Sequence, residues 1–382
     1  MAVLHSTATH SAIKGSATRS PLVALAHDYL SERGGAERVV VSLTKAFPNA
    51  PLYTSVYEPG RFPELEGLDI RTSGLNGVDL FRRHHRAAMP LIPGAFQRLR
   101  VDADVVLCSS SGFSHGITTD APKIVYCHNP PRWLYQKSQY VAGRKRFWLA
   151  STAVQPYLRH WDQKAAASCV RYLANSSVVA RRIAEVYDRH AEVLPPPTTL
   201  DPSGPQDAVD KFDEGFFLCV ARLQPYKNVD VVVEAFRSLP GERLVVVGNG
   251  SQLAEMQDSA PFNVSFVGHV TDREIRWLYS NCQALISASY EDFGLTPVEA
   301  ALYGKPSLLL RWGGFLDTML EGVTGLFFDQ PTPQKVEQAL RRYQREKWSA
   351  PTIMRAADRF SEAGFAARMH EVVDDVLGSV SA

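Results

Sequence analysis

The sequence lacks paired cysteines. Its five cysteines, Cys108, Cys127, Cys169, Cys219 and Cys282, are odd in number, widely separated and nowhere arranged as CxxC. That leaves no basis for a zinc ribbon or a disulfide framework. Four of them follow or lie within apolar runs (VVLCSS, IVYCHN, FFLCVA, YSNCQALI). They read as small buried hydrophobes in a reducing cytoplasm. Long apolar runs are absent too, so no segment reaches the roughly 18 residues that a membrane-spanning helix needs. Residues 1–20 are rich in Ser, Thr, Ala and His without an apolar segment, which reads as a disordered tail rather than a signal peptide. Charge of one sign is lacking: 41 Lys plus Arg stand against 40 Asp plus Glu. A whole-molecule grip on nucleic acid is therefore not indicated. The GxGxxG fingerprint is also missing, which disfavours a nicotinamide oxidoreductase.

What is present is a core of ordinary size. Of 382 residues, 45% are apolar and 21% charged, enough for two Rossmann-sized domains. Apolar, β-branched runs alternate with helical patterns: PLVALAHDYL (21–30) then AERVVVSLTKAF, ADVVLCSS (103–110), KIVYCHN (123–129), and VRYLANSS (170–177) then VVARRIAEVY. Strands that are apolar throughout, alternating with helices, mark a parallel sheet covered on both faces. Pro195–Pro197 and the Pro-, Gly-, Ser- and Asp-rich segment 198–215 interrupt this pattern, as a linker does. Alternation restarts at GFFLCVARL (215–223) and continues through RLVVVGNG (243–250), NVSFVGHV (263–270), ALISAS (284–289) and PSLLLRW (306–312), ending in helical stretches at 333–347 and 361–378. The expected fold is α/β, with two doubly wound domains facing a central cleft. The first spans 21–197, the second 198–360, and a terminal helix over 361–382 returns to the first.

Four motifs lie where such sheets bind ligands, at the carboxyl ends of strands. EDFGLTPVEA (291–300) holds Glu291 and Glu299 eight apart around a loop that enters a helix capped near Thr296, with Pro297 in its first turn. The backbone N–H groups of Phe293, Gly294, Leu295 and Thr296 would then face an anion. ARLQPYKN (221–228) places Arg222 and Lys227 five apart after a strand, suited to a diphosphate. Gly34-Gly35 allows close backbone approach, and His128 in CHNPP (127–131) follows a strand and precedes a rigid turn. Taken singly, each has a plainer reading: two surface carboxylates, two solvated cations, a turn, a structural histidine.

Taken together and in this order, the four resemble the family 4 retaining glycosyltransferases of GT-B fold, over roughly residues 22–378. HDYLSERGGAERVV and CHNPPRWLY look most like the bacterial branch that uses GDP-mannose to build O-antigens and exopolysaccharides. The resemblance implies a nucleotide-sugar donor and no cofactor. It places Arg222 and Lys227 on the diphosphate, Glu291 on the donor sugar, Glu299 on the ribose and residues 293–296 on sugar and phosphate. It puts Gly34 and Gly35 against the diphosphate, His128 near the transferred sugar, and the base beside Val267 and Gly268. One departure stands out: where the family often has Gly-Gly-x-x-Glu, Gly313-Gly314 is followed by Phe315, Leu316 and Asp317.

No metal is expected, since two cations and a helix dipole can offset the leaving charge. Asp102-Ala-Asp104 matches DxD only at the start of a strand. Rival readings are a UDP-sugar or GDP-fucose donor, or a nucleotide-sugar-binding module without turnover. The acceptor is expected to be a saccharide or a lipid-linked saccharide. Residues 81–100 carry Arg82, Arg83, Arg86, Arg98 and Arg100 around Met89, Leu91, Ile92 and Phe96, and Arg144–Trp148 form a second basic-aromatic cluster. These segments read either as ordinary solvated surface or as a peripheral patch on anionic lipid at the inner face of the cell membrane.

Overall fold

In the computed structural model, which describes residues 21–136, 154–209 and 212–381, the apolar runs become two all-parallel sheets. The first contains β1 (Val23–His27), β2 (Leu52–Thr54), β3 (Ile70–Thr72), β4 (Val105–Ser110), β5 (Lys123–Cys127), β6 (Arg171–Ala174) and β7 (Glu192–Val193), in the order β3-β2-β1-β4-β5-β6-β7. The second contains β8 (Phe216–Val220), β9 (Leu244–Val247), β10 (Val264–Gly268), β11 (Cys282–Ser287), β12 (Ser307–Leu310) and β13 (Gly325–Phe328), in the order β10-β9-β8-β11-β12-β13. Both orders reverse direction at one point, between β1 and β4 and between β8 and β11. The crevice beyond the strand ends at such a point is where open α/β sheets bind ligands.

Every residue of β4 and β5 is buried, because helices cover both faces. One face of the first sheet packs Ala24, Val106, Val125 and Tyr172, and the other packs Leu25, Leu107, Ile124 and Leu173. The second sheet is sandwiched in the same way, with Cys219, Val246 and Ile286 on one side and Leu218, Val245 and Leu285 on the other. All five cysteines are buried free thiols.

The chain crosses between the sheets twice. Leu194 joins the first core and Leu200 the second. The return passes Phe360, whose carbonyl accepts from Thr198 N at 3.0 Å. The last helix, Glu362–Ser381, then lays Phe365, Met369, Val372, Val373 and Val376 into the core of the first sheet. Glu362 fixes its start, taking Ser42 Oγ at 2.8 Å and Lys45 Nζ at 3.0 Å. The segment read as two closing helices contains three: Pro333–Tyr343, Ala350–Ala357 and Glu362–Ser381.

Residues 79–98 form short helices, Asp79–Arg83, His85–Ala88 and Ile92–Arg98. The expected apolar centre for lipid insertion needs correction. Ala88, Ile92 and Phe96, spaced by four, are fully buried in the first core, because that spacing gathers them on one side. Leu80 and Leu91 are the exposed apolar side chains of the segment, at 55% and 51%. Arg82 pairs with Asp79 and donates to Asn76 O at 2.9 Å, and Arg83 lies 3.6 Å from Asp79. Residues 1–20 and Arg144–Trp148 lie outside the described residues.

Candidate active site

The ends of β1, β4 and β5 supply one wall. Asp28, immediately after β1, is buried and organises the loop after β4. Its Oδ1 accepts from Phe113 N at 3.1 Å and Ser114 N at 2.7 Å, and its Oδ2 from Ser111 N at 2.6 Å. A carboxylate accepting several backbone N–H groups is a strong, directional anchor. The helix Gly35–Ala46 then begins with Gly34 as its N-cap residue. Gly34 lies against Glu37: a Cβ there would stand 2.7 Å from Glu37 Oε2, so a side chain would shift that carboxylate. Gly35 faces the other domain, with Leu295 Cδ1 3.8 Å from where its Cβ would stand.

His128 follows β5 and is buried, with Nε2 2.8 Å from Ser109 Oγ. Burial, with the neighbouring His27, lowers its pKa to about 3, so the ring is neutral at physiological pH. His27, the last residue of β1, has the opposite tendency. Burial works against its charge, but Glu37, Asp28 and the Ser109 carbonyl outweigh that and raise its pKa.

The opposite wall is built on β8 and β11. Lys227 ends the short turn Pro225–Lys227, is buried, and pairs with Glu291 in the loop after β11. Arg222 is exposed and donates to Tyr226 Oη at 3.0 Å. Three of the catalytic candidates thus share one locality. The floor beneath Glu291 is Gly313-Gly314. Gly314 N donates to Glu291 O at 3.0 Å, and a Cβ on Gly314 would fall 2.2 Å from Phe293 Cα. Phe293 packs on Phe360, ring centroids 5.9 Å apart. Val267 and Gly268 sit at the end of β10, where Gly268 O accepts from Gly248 N at 2.8 Å.

The helix Thr296–Leu302 starts where expected, with Leu295 at its N-cap position and Pro297 in its first turn, where a missing N–H costs nothing. Asp317, which follows Gly313-Gly314, reaches across to the first domain. Its Oδ2 accepts from Ser177 N at 2.8 Å and Ser177 Oγ at 3.0 Å, at the start of the first-domain helix Ser177–Tyr187.

The domains meet through further contacts that sequence reading missed. Asp292 takes Asn129 Nδ2 at 2.7 Å and pairs with Arg132 and Arg182, all from the first domain. Glu299 is buried; Oε1 accepts from Arg38 at 2.9 Å and Oε2 from Tyr279 Oη at 2.8 Å. The available signals were Asp292 inside EDFG and His27-Asp28 at the end of β1. Asp104 of the DxD match accepts from Leu22 N at 2.6 Å, where it steadies the start of β1. Among the described residues, no group of three or more His, Cys, Asp or Glu side chains is placed to hold a metal.

Comparison with known proteins identifies this arrangement. Residues 33–201 match the model of Glycosyltransferase Family 4, and residues 206–364 that of Glycosyl transferases group 1. The chain belongs to the family 4 glycosyltransferases. As a glycosyltransferase of GT-B fold it is 24% identical over 402 residues to human alpha-1,3/1,6-mannosyltransferase ALG2, covering 90% of this chain and 94% of that one. The Dictyostelium discoideum protein of the same name is 22% identical over 403 residues, covering 89% and 95%. Among solved structures, Anabaena Alr3699/HepE in complex with UDP-glucose superposes with a TM-score of 0.68 at 17% identity, over 93% of this chain and all 100% of that one.

Proposed function

We propose that this glycosyltransferase moves mannose from GDP-mannose, with retention of configuration and without a metal, to a saccharide or lipid-linked saccharide of cell-surface polysaccharide or glycolipid synthesis. The observation that carries the reading is the Lys227–Glu291 pair at the switch point of the second sheet, facing the His128 end of the first. The end-to-end similarity to proteins named as alpha-mannosyltransferases supports the sugar.

In this reading Arg222 and Lys227 take the diphosphate and offset its charge as the glycosidic bond breaks. Glu291 orients Lys227 and accepts from the donor sugar. Backbone N–H groups of Phe293 to Thr296 serve sugar and phosphate, and Gly34 and Gly35 border the diphosphate from the first domain. Glu299 accepts the ribose hydroxyls on lone pairs left free by Arg38 and Tyr279. Val267 and Gly268 border the base, and His128 contacts the transferred sugar. An anionic membrane surface would meet Arg82 and Arg83 beside the exposed Leu80 and Leu91; the side chain of Arg86, the third arginine of that reading, lies outside the described residues.

A second donor class has one observation in its favour: the Anabaena neighbour is described in complex with UDP-glucose. The deciding experiment is a panel of GDP-mannose, GDP-fucose, UDP-glucose and UDP-N-acetylglucosamine, scored for binding and for slow donor hydrolysis. Preference for GDP-mannose is the expected result. Preference for a UDP-sugar replaces the donor assignment, and binding without any hydrolysis or transfer makes the chain a non-catalytic module.

A further inference from the structure

A buried polar chain runs from Glu37 to His128. Parallel pairing of β1 with β4 sets His27 opposite Ser109, so the two side chains share one face of the sheet. His27 Nδ1 lies 3.0 Å from Ser109 O and 3.1 Å from Ser109 Oγ, and Ser109 Oγ lies 2.8 Å from His128 Nε2. At the other end, His27 Nε2 is sealed from solvent without a hydrogen bond, and Glu37 Oε1 stands 3.9 Å away. That is an ion-pair separation, too long for a hydrogen bond.

Proton accounting along this chain leaves one arrangement. A backbone carbonyl only accepts, so His27 Nδ1 carries a proton. If His27 were neutral, its Nε2 lone pair would face a carboxylate in a buried setting; protonated, it forms an ion pair with Glu37. The raised pKa of His27 agrees. Ser109 is buried, and its hydroxyl must place its own proton. Of the two ring nitrogens within reach, His27 Nδ1 is already a donor. The Ser109 proton therefore goes to His128 Nε2, which must be bare. His128 is neutral, so its single proton sits on Nδ1; among the described residues the ring's hydrogen bond is the one at Nε2.

We propose that Glu37, His27 and Ser109 are positioning residues that fix His128 as its Nδ1–H tautomer, keeping that N–H as the donor for the transferred sugar. This rests on the assignment of His128 to the sugar. Gly34 belongs to the same device, since a side chain there would strike Glu37 Oε2 at 2.7 Å. The Ser109 carbonyl commits His27 Nδ1 to donating, the Glu37 carboxylate favours the charged ring from the Nε2 side, and the serine hydroxyl passes the constraint to the second ring. No proton moves during turnover; the chain sets an orientation and a tautomer.

The test reads the tautomer directly. In ¹⁵N-histidine-labelled enzyme, long-range ¹H–¹⁵N spectra distinguish protonated from bare ring nitrogens, with assignments from His27→Gln and His128→Gln. The expected wild-type result is His128 protonated on Nδ1 only and His27 on both nitrogens. Ser109→Ala should give a mixture of His128 tautomers and lower kcat by about tenfold while the donor KM changes less than about twofold. Ser109→Thr, which keeps the hydroxyl, should restore both. If Ser109→Ala does not fold, Glu37→Gln serves instead and should leave His27 protonated on Nδ1 alone. A wild-type His128 protonated on Nε2 overturns the proposal, as does a Ser109→Ala enzyme whose His128 signals are unchanged. If the tautomer is as stated but His128→Gln keeps full activity, the sugar assignment fails while the positioning chain stands.

Discussion

Arg38 of the first domain donates from Nη1 to Oε1 of Glu299 in the second at 2.9 Å, while Tyr279 holds the other oxygen. A buried carboxylate on the donor side is thus half satisfied from across the cleft. Arg38→Ala leaves Glu299 with one partner. Because the Arg38 side chain is 40% exposed, water can replace part of the lost contact, and the expected cost is about 1 kcal/mol. Urea unfolding of the variant checks this. A larger effect on donor affinity than on stability is expected, since Glu299 then reorients.

Stability should depend on pH through two histidines of opposite tendency. His128 has its folded pKa lowered to about 3. The unfolded chain binds that proton first, so stability falls by roughly 1.4 kcal/mol per pH unit below about pH 6.5. His27 has its folded pKa raised. Its contribution is fully present below about pH 6.5 and is lost as pH rises through the folded value. The charged or titratable groups around His27 are Glu37, Asp28, His128 and Tyr29. Thermal unfolding against pH should show both limbs, with His128→Gln flattening the acid one and His27→Gln the alkaline one.

The doubly wound fold could be read from the sequence because β1, β4, β5, β8, β9, β11 and β12 are apolar on both faces, a pattern that only a covered parallel sheet requires. The strands β2, β3, β7 and β13 were missed. They span three, three, two and four residues, too short for a period to show, and neighbouring strands define them. Lys227 and Glu291 could be placed by motif, but their pairing could not, because it joins loops 64 residues apart. The partner of Asp317 was hidden for the same reason: Ser177 lies 140 residues away in the other domain. His27 opens the segment HDYL, but no motif links it to Ser109; only the β1–β4 register sets the two opposite each other.

Activity should survive EDTA. In the proposed reading Arg222 and Lys227 offset the diphosphate charge, and among the described residues no three-ligand cluster is placed to hold a metal. A donor-hydrolysis assay before and after dialysis against chelator checks this. Full inactivation reversed by Mn²⁺ or Mg²⁺ contradicts the metal-free reading.

Liposomes containing anionic lipid should sediment the protein at low salt and release it at high salt. Each Arg near such a surface contributes about 1 kcal/mol. Arg82→Glu with Arg83→Glu and Arg86→Glu should abolish binding. Leu80→Ser with Leu91→Ser should weaken it, whereas Ile92→Ser should act on stability, since Ile92 is core. No sedimentation of the wild type at low salt makes a soluble acceptor the better assignment.

The most direct measurement is the rate of GDP-mannose turnover by Lys227→Ala beside the wild type, with a thermal melt of each. Lys227 is buried against Glu291 where the two sheets face. Losing one cation from a diphosphate site costs roughly 3 kcal/mol of transition-state stabilisation. The expected variant is folded and about a hundredfold slower or worse. A folded variant within about threefold of the wild-type rate contradicts the diphosphate assignment.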